Sequence, residues 1–296
     1  MGELWGVAAA AASSALGGTS IAATRYLVGH LDPLAIGSFR FGIGCLLLAP
    51  VTLFGGQGWP GRGDRLRTAG LGLLFFALFP ILFNASLIHT SSARGALALS
   101  TLPLLSLVVG AALGRETLTA RKSLGVLAAM TGVGFALLSG LAEAPPQAWK
   151  GDLLMIAAAL CMAFYGIWSK PVIRRCGAIP FTTVAMACGA TALIAISLIR
   201  GSFEAVGRFA TPQWSAALYL GVIGAALTFY LWAYALGKVS PTSVAVTVTV
   251  NPVTASLVAA ALLGEPIGWN LAAGILVVGF GIWLATTERR GEKAGV

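Results

Sequence analysis

Side chains able to do covalent or acid–base chemistry are scarce in this chain. It has two histidines, His30 and His89, and ten acidic residues among 296. Cys45, Cys161, Cys176 and Cys188 lie in or beside apolar stretches, without CxxC spacing or a histidine cluster. They read as reduced packing residues. A catalytic site needs a base, an acid and orienting groups converging on one point. The only grouping near a membrane surface that approaches this is His89 and His30, with Asp32 and Arg94 in nearby loops. It would suit a membrane-embedded enzyme acting on lipid head groups. No catalytic residue, metal ligand or cofactor is expected, and the protein is read as a non-enzyme.

The chain is better supplied for recognition of a small solute, which takes a few fixed hydrogen-bonding groups set among apolar and aromatic walls. Polar residues interrupt apolar runs at Ser13-Ser14, Ser100-Thr101 and Thr247 to Asn251. Tyr165 and Trp168, three apart and following Cys161, share one helical face. Tyr230 and Tyr234 are four apart, as are Phe79 and Phe83, which stand beside Asn84. The expected binding set is therefore Ser14, Phe79, Phe83, Asn84, Ser100, Tyr165, Trp168, Tyr230, Tyr234, Thr247 and Asn251. Each aromatic residue has lipid contact or an interfacial belt as its alternative. Pro103 and Pro252 interrupt two of the runs and are the expected kink or gating positions, because proline frees a carbonyl one turn earlier.

These residues sit on elements made for a bilayer. The chain is 57% hydrophobic and only 10% charged, against about 25% charged in ordinary globular domains. Disordered, coiled-coil and disulfide-scaffold classes are excluded. About 20 apolar residues cross the ~30 Å hydrocarbon core as a helix. Ten segments of that kind fall near 4–24, 33–54, 67–88, 93–113, 123–142, 151–170, 178–200, 213–236, 240–263 and 266–286. Turn and breaker residues separate them, including Gly55-Gly56, Gly114, Pro145-Pro146, Pro180, Pro212, Pro241 and Pro266. Met1-Gly2-Glu3 lacks the basic start of a signal peptide.

Arg40 is the only full charge away from the ends of a span. It can snorkel, bond a neighbouring carbonyl, or hold a substrate carboxylate. Glu116 and Glu265 lie just past apolar runs and are expected to brace helix starts or loops. No carboxylate sits at a midplane position to couple transport to Na⁺ or H⁺, and no central pair of Lys or Arg exists to clamp a phosphate.

Cytoplasmic loops accumulate Lys and Arg. On the side of the ten spans that holds both termini lie Arg62, Arg65, Arg67, Arg115, Arg121, Lys122, Lys170, Arg174, Arg175, Lys238, Arg289, Arg290 and Lys293. The other side has Arg25, Arg94, Lys150, Arg200 and Arg208. Both termini are expected in the cytoplasm. The net charge of +9 is thus spent on topology, not clustered on one solvated face as nucleic-acid binding would require.

Shifted by 149 residues, the sequence meets itself. Gly2, Leu4 and Ala8 to Ala10 align with Gly151, Leu153 and Ala157 to Ala159, and Pro103 aligns with Pro252. Glu116 aligns with Glu265, and Gly125 and Gly132 with Gly274 and Gly281. Self-similarity at one period implies a duplicated unit. Five spans per half is odd, so the second half enters the membrane from the opposite face. The expected fold is an all-α integral membrane protein of ten transmembrane helices, arranged as two inverted five-helix repeats. The repeats run over 1–142 and 151–287, with a cytoplasmic tail over 288–296. The four glycines suit close packing of spans five and ten, or a dimer surface.

With Phe39-Arg40-Phe41, Pro103, Gly114-Arg115-Glu116, Asn251-Pro252 and Gly264-Glu265 in these positions, the chain resembles the drug/metabolite transporter superfamily. The likeness is to its ten-helix branch with two EamA domains, and it covers nearly the whole length. The resemblance implies a multi-pass exporter of amino acids or related metabolites in a bacterial inner membrane, with a central cavity lined by spans one, three, four, six, eight and nine. Alternating access between inverted repeats is the mechanism such a layout supports. The expected cargo is an aromatic or other apolar amino acid, moved by a facilitator or exchanger. A broad drug or toxin exporter is the alternative. The expected partners are the solute and the lipid bilayer, and the protein is a monomer or homodimer.

Overall fold

The structure is a computed structural model that describes residues 2–56, 58–90, 92–136, 147–254, 257 and 269–287. Among the described residues all regular structure is helical. Six helices are long and apolar enough to cross a membrane: α1 (Gly2–Val28), α2 (Pro33–Phe54), α3 (Arg62–His89), α7 (Ala148–Cys176), α8 (Ala178–Ile199) and α9 (Thr211–Lys238). Shorter α-helices among the described residues are α4 (Ser92–Leu99), α5 (Leu102–Ala112), α6 (Ala120–Ala136), α10 (Pro241–Val246) and α11 (Trp269–Thr286). The second half of the ninth apolar segment, Gly264-Glu265 and the tail at 288–296 lie outside the described residues.

Helix limits have local causes. Asp32 caps α2, its Oδ1 accepting from Leu34 N at 2.8 Å, and Pro33 occupies the first turn, where a missing N–H costs nothing. Gly177, at φ +91°, turns the chain from α7 into α8. The fourth apolar segment is divided: α4 ends at Leu99, four residues before Pro103, and Ser100 and Thr101 form a turn before α5. After α10 a 3₁₀ turn over Thr247–Thr249 spans Val248, four residues before Pro252. Both breaks fall where a proline leaves a carbonyl without its helical donor.

Two π-helical turns widen the long helices. Leu74–Leu78 precedes Pro80 in α3, and Val222–Leu227 lies in α9. In α9 the Thr228 hydroxyl donates to Ile223 O at 2.7 Å, five residues back, which stabilises the wide turn. Helix limits recur along the chain: shifting Arg62–His89 by 149 residues gives Thr211–Lys238, and shifting the starts of α4 and α6 gives those of α10 and α11.

The exterior is apolar, with Phe54 88%, Ile199 86% and Leu276 75% exposed. Polar side chains instead turn inward and find one another. Ser38 bonds Ser197 at 3.0 Å, and Thr52 bonds Thr183 at 2.7 Å, both between α2 and α8. This inversion is what a hydrocarbon solvent selects. α6 and α11 approach through glycine: Gly132 lies against Val278 N and Gly274 O, while Gly281 lies against Ala129 N and Gly125 O. The four glycines that recur at the 149-residue period thus let two backbones meet.

Glu116, beyond the end of α5, reaches across to α10, and its Oε1 accepts from Thr242 N at 2.9 Å. A carboxylate on the free N–H groups of a helix start is favourable. Glu116→Ala is expected to lower stability by about 1 kcal/mol, and Glu116→Gln to recover most of it. Thermal unfolding in detergent reads both variants.

Candidate functional site

Where α1, α3, α7 and α9 converge with the breaks after α4 and α10, a narrow cavity of about 50 Å³ remains. It admits a few water molecules. From α1 come Ser13, Ser14, Gly17 and Ile21, and from α2 the side chain of Arg40. Phe79 and Phe83 enter from α3, Leu99 from the end of α4, and Met162 from α7. α9 supplies Thr228, Phe229 and Trp232, and the stretch after α10 supplies Val248 and Asn251.

Hydrogen bonds across the two halves of the chain fix this wall. Ser13 Oγ donates to Thr228 O at 2.8 Å, and Ser14 Oγ pairs with Thr247 Oγ1 at 2.9 Å. Helix α1 comes close enough to Asn251 only because Gly18 lacks a side chain there, and Gly17 faces the Asn251 amide one residue earlier. Arg40 is 7% exposed, and its Nε and Nη2 donate to Gly224 O at 3.2 and 2.8 Å. Gly224 belongs to the π turn of α9, where the regular carbonyl ladder is disturbed. The guanidinium also lies 5.4 Å from the Phe41 ring centre and 5.6 Å from that of Phe229, within cation–π range.

Of the residues expected to bind solute, Ser14, Phe79, Phe83 and Asn251 line this cavity. Thr247 stands just behind the wall as the partner of Ser14. Ser100 is buried in the turn between α4 and α5, and Asn84 is buried with its Nδ2 donating to Pro33 O at 2.9 Å; neither lines the cavity. Pro103 and Pro252 are buried next to the two breaks. Tyr165 is sealed in an aromatic cluster, stacked on Phe75 with ring centres 4.1 Å apart. Trp168 lies on the outer face, stacked on Phe164 and bordering a groove with Arg67, Leu71 and Leu74. Tyr230 and Tyr234 border a different surface groove, with Cys176 and Ile179. Accordingly, Trp168→Ala is expected to leave solute flux near wild type in a reconstituted transport assay, whereas Asn251→Ala reduces it severalfold.

The cavity also recruits residues that spacing did not single out, chiefly Thr228, Phe229 and Trp232. On a helix turning 100° per residue, Thr228 and Trp232 share a face, and Tyr230 is 200° from Thr228. The missed signal was Thr228 at four residues from Trp232, a polar group that marks the inward face. Elsewhere, His30 Nδ1 lies 3.0 Å from Tyr26 O and Asp32 is engaged in the α2 cap. Among the described residues no group of three or more His, Cys, Asp or Glu is arranged to hold a metal ion. The four cysteines are free thiols.

The chain is similar over most of its length to transporters of diverse prokaryotes. It is 23% identical over 273 residues to the uncharacterized transporter YyaM of Bacillus subtilis, covering 91% of this chain and 89% of the relative. It is 30% identical over 267 residues to the uncharacterized protein PA1977 of Pseudomonas aeruginosa, with 89% and 88% covered. A protein of Streptantibioticus cattleyicolor named "Probable terminal-alkyne amino-acid exporter" is 26% identical over 239 residues, covering 79% of this chain and 77% of that one. A crystal structure of a protein 18% identical in sequence superposes with a TM-score of 0.75 over 96% of both chains, which shows the fold. The model of the EamA-like transporter family matches twice, over residues 4–138 and 149–287, and the chain belongs to that family of membrane transporters.

Proposed function

We propose that this protein is a secondary transporter of a bacterial inner membrane that exports small organic solutes, foremost aromatic or other apolar amino acids, by alternating access. The carrying observation is the cavity itself, walled by α1 to α4 on one side and α7, α9 and the stretch after α10 on the other. Ten spans in two inverted repeats, over 1–142 and 151–287, account for this arrangement. The double family match, the recurrence of helix limits at 149 residues and the π turn in both α3 and α9 support that reading. The amino-acid exporter among the relatives supports the cargo class.

At about 50 Å³ the cavity is smaller than the ~300 Å³ at which ligand pockets begin. Loading therefore requires the two bundles to part, which is the motion alternating access supplies. Among the described residues no carboxylate lines the cavity, so exchange or facilitated diffusion is favoured over ion coupling. Counterflow into proteoliposomes holding the purified protein, preloaded with one amino acid at a time and without an ion gradient, tests this. Accumulation of labelled phenylalanine, tryptophan, threonine or methionine above protein-free liposomes is expected. Silence with every amino acid, with or without a proton gradient, would sink the cargo assignment.

A further inference from the structure

Three polar groups on the cavity wall are left incomplete by the protein. Arg40 carries five N–H donors. Two of them share the single oxygen of Gly224, and ring faces are its other partners. No described acidic side chain forms an ion pair with it. A buried cation bonded to one carbonyl, beside two rings and Tyr219 and without a carboxylate partner, is costly in a low-dielectric site. Trp232 Nε1 is a buried donor without an acceptor, and Asn251 Oδ1 is a buried acceptor without a donor. Both residues line the same cavity as Arg40. Native proteins satisfy nearly all such groups, so two unmet atoms and a guanidinium bonded through only one carbonyl, all around one cavity, describe the ligand that completes it.

We infer that Arg40 anchors the carboxylate of the transported solute, with Trp232 Nε1 as a further donor and Asn251 Oδ1 as the acceptor for its amino group. The guanidinium is a planar fork matched to a carboxylate and always charged. Ile21, Phe79, Phe83, Leu99 and Met162 leave the remaining wall apolar, which suits an uncharged side chain. The selected solute is therefore a carboxylate with a neighbouring N–H donor and an apolar remainder, and an amine or amide lacking the carboxylate is rejected. The inference rests on the cavity being the transport site.

A solute series on the unaltered protein tests this without risk to folding. Phenylalanine and methionine are compared with their carboxamides and with the decarboxylated amines. Each is scored as a competitor of labelled phenylalanine counterflow and as a thermal stabiliser of the full-length protein in detergent. The acids are expected to act at concentrations about tenfold or more lower than the amides and amines, since a site built to bond a group penalises its absence. Arg40→Gln is expected to erase that preference, Arg40→Lys to restore part of it, and Trp232→Phe to weaken the acids severalfold while sparing the amines. A role for Arg40 confined to bracing Gly224 would shift stability and leave the acid-to-amine ratio unchanged. Amines competing as well as acids, or an unchanged ratio in both Arg40→Gln and Trp232→Phe, overturns the inference while the transport reading stands. Neither flux nor stabilisation with any of the six solutes overturns both.

Discussion

Gly18→Ala is expected to stop transport and to lower the thermal stability of the protein in detergent by about 1–3 kcal/mol, the usual cost of forcing extra atoms into a packed interior. A Cβ at Gly18 would stand 2.4 Å from Asn251 O and 3.0 Å from its Cα. These are backbone atoms, so no rotamer change can make room. Helix α1 has to move away from the stretch after α10, and the Ser14–Thr247 bond at 2.9 Å stretches with it. Gly17→Ala is the informative neighbour. Its Cβ meets the Asn251 amide at 3.4 and 3.5 Å, which is ordinary contact, so stability is retained while the added methyl narrows the cavity and slows flux. Equal loss of stability in both variants would show that helix contact at Asn251 is not what Gly18 provides.

The second large effect is expected at the α6–α11 seam. Gly281→Leu places its Cβ 2.4 Å from Ala129 N and 2.7 Å from Gly125 O. Without a hydrophobic force between helices in lipid, this pair is held by backbone proximity and dispersion. The two helices must separate, and folded yield after solubilisation is expected to fall sharply. Gly279, two residues earlier on the same helix, has open space where a Cβ would stand, and Gly279→Ala is expected to be neutral or slightly stabilising because alanine is the better helix former. A melting experiment on both variants separates contact from propensity: comparable destabilisation at 279 and 281 would refute the seam.

What the sequence discloses well is where helices begin, since capping and breaking residues act locally. Asp32-Pro33 starts α2, Gly177 ends α7, and Pro241 opens α10. The breaks ahead of Pro103 and Pro252 follow from a missing donor, which is also a local fact. Helix rotation is not local. In an all-apolar segment either face is acceptable to lipid, so nothing in the spacing of Tyr230 and Tyr234 tells that they border a surface groove while Thr228 and Trp232 line the cavity. Tyr165 illustrates the same ambiguity, because stacking on Phe75 and exposure to a solute demand the same residue type. The small residues were more eloquent than the aromatic ones. Ser14 and Asn251 stand on the wall because an apolar surround leaves a polar side chain few other places to go.

Arg40 has a consequence for the cell even when no solute is bound. On the proposed transport route Arg40 is a fixed positive charge beside space for only a few waters, and such a charge raises an electrostatic barrier against protons and metal cations, as an arginine does in water-selective pores. An idle molecule is therefore expected to leave a membrane potential intact, and proton leak from proteoliposomes without solute, compared between the unaltered protein and Arg40→Gln, reads this directly.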